Sequence, residues 1–303
     1  MKTPVKRLIA ATFIAFLPAG RAAAEDGGRT FHIPCLYLVS FWVRDIEKSR
    51  AFYESYLGFD EPYDLPLPNG GLELAALKMN ERQVIYVFPN PAKIRPDGEN
   101  LHHVGLEVDD VAALHDYLAA RGLAVKPLKK GRIGDLILNV TDPDGHLCEI
   151  SEHEPEGQLM LHHGHGLAAT RISSHLKSAA ISVADLNASL RFYRDRLGFN
   201  EVWRDKPVNP SSVHLQVPDG ADYLDLQPYA KEPGADAARA VPEYSLAVPD
   251  AAKAAEILAQ RAQAGGFSSP APLSVGVDGR RRTSCVDPDG TRVVLEEFPD
   301  SGN

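Results

Sequence analysis

Four segments of the chain share one pattern of apolar and polar positions. Each opens with a short run of alternating apolar residues, continues with an aspartate, and then shows apolar residues three and four apart. Alternation is typical of a strand, and the three-and-four spacing is typical of an amphipathic helix. The aspartates stand where a side-chain oxygen accepts hydrogen bonds from a first helical turn, so we predict four helix N-caps: Asp45, Asp110, Asp185 and Asp250.

The segments that follow each helix alternate again and are broken by turn residues. LELAALKM, RQVIYVFP, DLILNV and HLCEI are examples, and each is typical of a strand. Together with the strand that precedes the helix, they complete a β-α-β-β-β unit. The pattern therefore predicts an α+β fold built from four such βαβββ units in tandem.

The two halves of the chain repeat one another at an offset of 140 residues. Residues 46–59 (IEKSRAFYESYLGF) match residues 186–199 (LNASLRFYRDRLGF), and residues 108–121 match residues 248–261. A fixed offset of this kind indicates a tandem duplication. Because each half also contains two helical segments, each half is predicted to be double.

The repeat predicts the domain boundaries. We predict a first domain over residues 34–153, a linker over 154–174 and a second domain over 175–298. The linker carries a cluster of histidines in a glycine-containing stretch, which is typical of a solvated connection: His162, His163 and His165.

Residues 1–24 have the composition of a secretory signal. Basic residues come first, an apolar run from Leu8 to Leu17 follows, and Ala22 and Ala24 are spaced like a signal-peptidase site. We expect cleavage after Ala24 and a periplasmic or secreted mature chain that is not attached to a membrane. This segment holds four basic and no acidic residues, so its removal changes the formal charge from −9 to −13.

Charge and motifs exclude several function classes. An acidic chain without a stripe of Lys or Arg does not favour nucleic acid as a partner. No nucleophile elbow, phosphate-binding glycine loop or CxxC occurs, which argues against hydrolase, kinase and thiol-redox chemistry. Three cysteines are too few for a disulfide framework, although the sequence leaves open one bridge between Cys35 and Cys148.

Both halves carry the helix pattern S-x-x-F-Y-x-x-x-L-G-F and the hairpin turn D-P-D-G, the latter at 142–145 and 287–290. Four tandem βαβββ units with these motifs resemble the vicinal oxygen chelate (VOC) superfamily of glyoxalase I, extradiol dioxygenases and bleomycin-resistance proteins. The resemblance covers about residues 34–298. It implies two VOC domains whose sheets curl around a cavity, with helices outside and the chemistry on the inner face. It does not specify a reaction.

Strand alternation predicts which side chains face the implied cavities. His103 and Glu149 share one parity and face the same cavity, whereas His102 has the opposite parity. His146, in the hairpin turn, is expected to be exposed. The candidate substrate pocket comprises Leu38, Ser40, Trp42, Tyr86 and Phe88 in the first half and Ser178, Tyr223 and Glu243 in the second.

The resemblance also implies where metal ligands stand, on the first and last strands of each unit. Carried over unit by unit, these slots hold Leu38 and Tyr86, His103 and Glu149, Ser178 and Asp225, and Glu243 and Val294. Leu38 departs from the His, His, Glu set of extradiol dioxygenases. The second half keeps the DPDG turn, yet has Val294 where the first half has Glu149.

Two pairings of the units remain open from the sequence. If units pair within each half, neither cavity gathers more than two candidate ligands. If they pair across the halves, as in fused forms of glyoxalase I, one cavity gathers His103, Glu149 and Asp225, and the loss at Val294 marks a cavity that no longer binds metal. That set would suit a divalent ion such as Fe, Mn, Ni or Zn.

Two functions are consistent with these features. The first is a divalent-metal-dependent reaction, of dioxygenase or lyase/isomerase type, on a small oxygenated molecule. The second is metal-free binding of a small molecule, as in bleomycin-resistance proteins, in an aromatic-lined pocket. In both cases the expected partner is a small-molecule ligand and the protein is a monomer or homodimer.

Overall fold

The computed structural model describes residues 29–229, 242–276 and 278–298. The predicted signal segment, residues 1–24, lies outside the described residues. The described chain forms two eight-stranded sheets, one from each half. Within these ranges, no helix has the length and apolar character needed to cross a membrane.

The first sheet consists of β1 Cys35–Val43, β2 Asp60–Pro66, β3 Leu72–Lys78, β4 Val84–Pro89, β5 Leu101–Glu107, β6 Lys129–Lys130, β7 Leu136–Thr141 and β8 Leu147–Glu152. The second consists of β9 Leu176–Val183, β10 Asn200–Arg204, β11 Val213–Gln216, β12 Tyr223–Pro228, β13 Glu243–Val248, β14 Ser274–Val275, β15 Arg281–Val286 and β16 Arg292–Glu297.

The helices are α1 Ile46–Arg50, α2 Val111–Ala120, α3 Gln158–Leu161, α4 Leu186–Leu190 and α5 Ala251–Gly265. Two of them, α1 and α4, continue as π-helical turns over Ala51–Tyr56 and Arg191–Arg196, and a short 3₁₀ turn spans Pro91–Lys93. Each predicted N-cap is confirmed, because all four aspartates accept hydrogen bonds from backbone amides of the following turn.

Strand order shows that units pair within each half. The first sheet has the order β2-β3-β4-β1-β5-β8-β7-β6, and the second repeats it as β10-β11-β12-β9-β13-β16-β15-β14. The first strands of the two units in a half, β1 with β5 and β9 with β13, pair antiparallel at the centre. The crossed pairing of units two and three does not occur.

One face of each sheet packs against its helices and forms the main core. This face carries alternate residues such as Val39, Phe41, Val104 and Leu106, and the core continues into the second half through Ala179 and Ile181. We call the opposite face of each sheet its far face. Because strand residues alternate, the residues between these core positions lie on the far face.

The DPDG turn of each half contacts the π-helical turn of the other half. The Tyr53 hydroxyl donates to Asp287 Oδ2 at 3.2 Å, and the Tyr193 hydroxyl donates to Asp142 Oδ2 at 3.1 Å. The third turn residue accepts from a backbone amide across the interface: Asp289 from Arg44 and Asp144 from Ala184. The duplicated F-Y and D-P-D-G motifs therefore join the halves, which explains why the turn is kept where the carboxylate is not.

The three cysteines are buried and their thiols are free. Cys35 lies on the far face of the first sheet and its Sγ contacts Glu107 Oε2 at 3.2 Å. Cys148 lies in the main core on the other face of that sheet. The bridge that the sequence left open is therefore not formed.

Candidate functional site

The far face of the first sheet carries a second apolar cluster. Its buried members are Cys35, Tyr37, Leu38, Tyr63, Leu74, Ala76, Val84, Tyr86, Phe88 and Ile133, with Trp42 and Leu65 packed against them. In the described residues, the second sheet has no comparable cluster on its far face. The two halves therefore offer chemically different surfaces, and only the first has a buried apolar cluster on this face.

Two β-bulges in β1 and β5 add residues to this face that simple alternation does not predict. In the pairing of β1 with β5, Leu36 and Leu38 oppose consecutive residues, so Tyr37 is the extra residue. His102 is extra in the same way, between His103 and Leu101. The predicted parity of His102 is wrong, because its ring lies 4.0 Å from that of Trp42 on the far face.

His103 is 5% exposed and has one unpartnered ring nitrogen. Its Nδ1 lies 2.9 Å from Ser40 Oγ, which also bonds the His103 carbonyl at 3.0 Å. A hydroxyl has one hydrogen, so if it goes to the carbonyl, Nδ1–H donates to Oγ and Nε2 keeps a free lone pair. Burial lowers the pKa of His103 well below its usual value, so the ring is neutral at pH 7.

Glu149 lies beside that free nitrogen. Its Oε1 accepts a hydrogen bond from the Tyr37 hydroxyl at 3.0 Å and stands 3.9 Å from His103 Nε2. Burial raises the pKa of Glu149, and the hydrogen bond from Tyr37 opposes that shift. The pair therefore presents two electron-pair donors to the same space.

Asn139 adds a third polar group at this place. It lies directly opposite Glu149 in the pairing of β7 with β8, and its Oδ1 is buried without a protein partner. A buried polar atom that lacks a hydrogen bond costs free energy, so such atoms are usually satisfied by water or by a ligand. The unpartnered atoms of His103 and Asn139 therefore make this region a candidate binding site.

The predicted pocket residues of the first half all lie on this face. Tyr86 is buried and its hydroxyl pairs with that of Tyr63 at 2.7 Å, and Phe88 packs against His102 with ring centroids 4.5 Å apart. Leu38, which occupies the slot of a metal ligand in the family, is fully buried. Sequence reasoning missed Tyr37 and Asn139, although the alternation of β7 contained the signal for Asn139.

The predicted pocket residues of the second half lie on the other sheet. Asp225 accepts hydrogen bonds from Ser212 and from Gln227, the latter at 2.8 Å. Glu243 lies 3.4 Å from Arg292, and burial raises the pKa of Glu243 to about 7. Ser178 bonds the Ser245 hydroxyl, and Tyr223 stacks on the His214 ring.

Among the described residues, the structure does not bring the three predicted metal ligands together. His103 and Glu149 lie on the first sheet, whereas the partners of Asp225 all belong to the second. Within residues 29–229, 242–276 and 278–298, no three His, Cys, Asp or Glu side chains converge as metal ligands would. Of the two remaining slots in this half, Leu38 offers no electron pair and the Tyr86 hydroxyl is bonded to that of Tyr63. The residues present therefore do not fit a three-ligand metal site.

The start of the predicted linker packs against the first sheet. The His162 ring lies 5.0 Å from that of Tyr63, and Lys78 Nζ donates to the carbonyl of His165 at 2.9 Å. Leu159 of α3 is buried. This part of the linker therefore packs on the first sheet, while His163 and His165 are exposed.

A cavity of about 330 Å³ lies elsewhere, between the halves. It is lined by Leu123, Pro143, Ala188, Arg191, Phe192, Asp195 and Arg196. None of the predicted site residues touches it. Because it is mostly apolar and holds no unpartnered buried polar atom, we assign the candidate site to the far face of the first sheet.

Comparison with known proteins agrees with this architecture. No curated protein matches the sequence. Among solved structures, the Mn(II)-bound glyoxalase from Novosphingobium aromaticivorans is 16% identical with a TM-score of 0.65, covering 88% of this chain and 83% of that one. The 2,3-dioxygenase LapB from Pseudomonas sp. KL28 is 15% identical with a TM-score of 0.64, covering 88% and 93%.

Identities this low establish a shared fold and no shared reaction. The family model for the Glyoxalase/Bleomycin resistance protein/Dioxygenase superfamily matches twice, over residues 36–150 and 175–295. The two matches together cover most of the sequence. The chain is a member of the glyoxalase/bleomycin resistance/dioxygenase (VOC) superfamily with two VOC domains.

Proposed function

We propose that this protein binds a small oxygenated molecule on the far face of the first sheet, and that any reaction it catalyses takes place there. The observation that carries the proposal is the buried, unpartnered Nε2 of His103, 3.9 Å from Glu149 Oε1. A neutral imidazole lone pair and a carboxylate oxygen both accept hydrogen bonds. The preferred ligand therefore carries hydroxyl or amine donors at the end that meets this pair.

The body of the ligand is expected to be apolar or aromatic. Trp42, Phe88 and the His102 ring form a continuous set of ring contacts beside His103. Sites of this kind combine an apolar lining with a few polar groups that fix orientation. Two of the similar solved structures are named as dioxygenases of hydroxylated aromatic rings, catechol and 2,2',3-trihydroxybiphenyl, which supports the choice of a phenolic probe.

Catechol binding tests this proposal. Trp42 and Trp203 are the two tryptophans of the chain. A Trp203→Phe background therefore leaves Trp42 as the sole tryptophan reporter. We expect catechol to change Trp42 fluorescence, and His103→Gln to weaken its apparent affinity by about tenfold or more, because a buried hydrogen bond is lost.

The matched control is His214→Gln, since His214 lies on the second sheet in contact with Trp203 and Tyr223. This control should leave catechol affinity unchanged. If wild-type protein gives no response to catechol or to related phenols and diols, the proposed function is rejected. If His103→Gln and His214→Gln weaken binding equally, the assignment to the first sheet is rejected.

Metal dependence is a second candidate, and it rests on the same His103 and Glu149 pair. An Fe, Mn, Ni or Zn ion held there would have two protein ligands, because the other two slots hold Leu38 and a Tyr86 hydroxyl that is bonded to Tyr63. We therefore expect catechol binding to persist in EDTA and the purified protein to retain only substoichiometric metal after dialysis. One equivalent of a divalent ion, lost in His103→Gln, would instead favour the metal-dependent enzyme.

We also propose that the protein is exported to the periplasm or secreted. The support is the order of basic, apolar and small residues over positions 1–24. Intact-mass measurement of protein from its native host should give a chain that begins at Glu25. A mature chain that begins at Met1 would contradict export by this route.

A further inference from the structure

We propose that Tyr37 is the positioning residue of the candidate site, fixing the Glu149 carboxylate at its place beside His103. The inference rests on the proposed function, because it treats Glu149 as part of the binding site. Its geometry is independent of any ligand. The Tyr37 hydroxyl bonds Glu149 Oε1, the same oxygen that stands 3.9 Å from His103 Nε2.

A second hydrogen bond orients the Tyr37 hydroxyl. Its oxygen lies 2.8 Å from Ser151 Oγ, two residues after Glu149 on the same face of β8. A phenol has one hydrogen, so when Tyr37 donates to Glu149, Ser151 must donate to Tyr37. Tyr37 and Ser151 are both fully buried, which removes competition from water.

The ring of Tyr37 is held by the backbone beneath it. A Cβ atom at Gly105 would lie 2.6 Å from Tyr37 Cε1 and 2.6 Å from Leu38 Cβ. The aromatic ring therefore occupies the space that any side chain at position 105 would need. The bulge in β1 directs Tyr37 to this face, and Gly105 makes the room.

Comparison of the two halves supports the view that Tyr37, Gly105, Glu149 and Ser151 act together. Lys177 is the bulge residue of β9 and the counterpart of Tyr37, at the 140-residue offset. Strand pairing makes Ser245 the counterpart of Gly105. Equal distance from the DPDG turn makes Val294 the counterpart of Glu149 and Glu296 the counterpart of Ser151. All four positions differ in the half that has no carboxylate.

The hydrogen bond has a measurable consequence for Glu149. A donor that bonds a carboxylate stabilises the charged form and lowers the pKa, against burial that raises it. Removing the donor should therefore raise the pKa of Glu149 further. A tyrosine that only filled space would leave this pKa unchanged when replaced by phenylalanine.

The experiment is Tyr37→Phe in the full chain, followed by ¹³C-carboxyl NMR titration of glutamate-labelled protein, with Glu149→Gln assigning the resonance. Phenylalanine keeps the ring over Gly105, so the fold should be retained. We expect the pKa of Glu149 to rise, because the hydrogen bond that opposes the effect of burial is lost. Ser151→Ala, which removes only the second hydrogen bond, should shift it in the same direction by less.

Tyr63→Phe is the matched control. Its hydroxyl is buried on the same face and bonds Tyr86 rather than Glu149, so the Glu149 titration should not change. An unchanged Glu149 titration in Tyr37→Phe, or an equal shift in Tyr63→Phe, would overturn the inference. Neither result depends on catechol, so a failure of catechol binding in the wild type would count against the proposed function alone.

Discussion

At the scale of single residues, Gly105 is a position where one added methyl group should be costly. Gly105→Ala would place a Cβ 2.6 Å from both Leu38 and the Tyr37 ring. We expect a loss of about 1–3 kcal/mol in the free energy of unfolding, because the buried ring must shift. Urea denaturation measures this loss.

The control for that prediction is Gly131→Ala. The nearest atom to a Cβ at Gly131 is Ile137 Cδ1, at 3.3 Å, which is the far end of a flexible side chain. This substitution should cost much less than Gly105→Ala. Equal losses would show that the Tyr37 ring is not rigidly held over Gly105.

The same residues show where prediction from the sequence ended. His103, Glu149 and the aromatic residues of β4 follow a period of two, so alternation assigned their face. Tyr37 and His102 are bulge residues, and a bulge changes parity without a signal in the local pattern. The site was therefore predicted from its regular positions, and the residue that holds Glu149 was missed.

At the scale of elements, the two DPDG turns are alike in backbone and different in electrostatics. In the first, the His146 ring lies 2.9 Å from Asp142 and lowers the pKa of Asp142 although burial opposes it. His146 is therefore bonded and largely buried, so its predicted exposure is wrong. In the second, Thr291 stands in its place, and burial raises the pKa of Asp287 to about 6.

We expect His146→Thr to raise the pKa of Asp142 towards that of Asp287, measured by ¹³C-carboxyl NMR. Asp142 now has a folded pKa below its unfolded value, so its stabilising contribution is lost as pH falls. A group whose folded pKa lies above its unfolded value behaves in the opposite way, and its stabilising contribution is lost as pH rises through the folded pKa. Asp287, with a pKa of about 6, is such a group.

The variant should therefore lose stability relative to wild type as pH rises from about 4 to 6. His115→Thr is the control, because His115 lies on α2 beside Asp116 and does not contact the turn. A stability difference that does not vary with pH would exclude the Asp142 and His146 pair as its cause.

Element pairing also limited what the sequence could predict. Caps, strands and the 140-residue repeat indicated four βαβββ units, and two eight-stranded sheets with that organisation are observed. The sequence pattern is equally consistent with pairing of units within a half and with pairing across the halves. The choice is made by contacts between strands that are distant in sequence, such as β1 and β5. The metal set with Asp225 depended on the crossed pairing, and the observed pairing lies within each half.

At the scale of the whole molecule, the halves share one buried core and a polar interface. The main core cluster contains helix-side residues of both sheets. Gln83 of the first half bonds the Leu176 carbonyl and the buried Asp222 carboxylate of the second. Because these groups are buried only when the halves are joined, separation would leave apolar surface and polar atoms exposed together.

We therefore expect the two domains to unfold as one cooperative unit. Trp42 reports on the first sheet and Trp203 on the second, so Trp203→Phe and Trp42→Phe each leave a fluorophore in one half. Urea unfolding curves of these two single-tryptophan variants should have coincident midpoints. Tyr193→Phe, which removes the hydrogen bond to Asp142, should lower both midpoints equally and cost about 1 kcal/mol. If the two reporters separate, or if Tyr193→Phe shifts only one of them, the halves fold independently and the DPDG contacts are not what couples them.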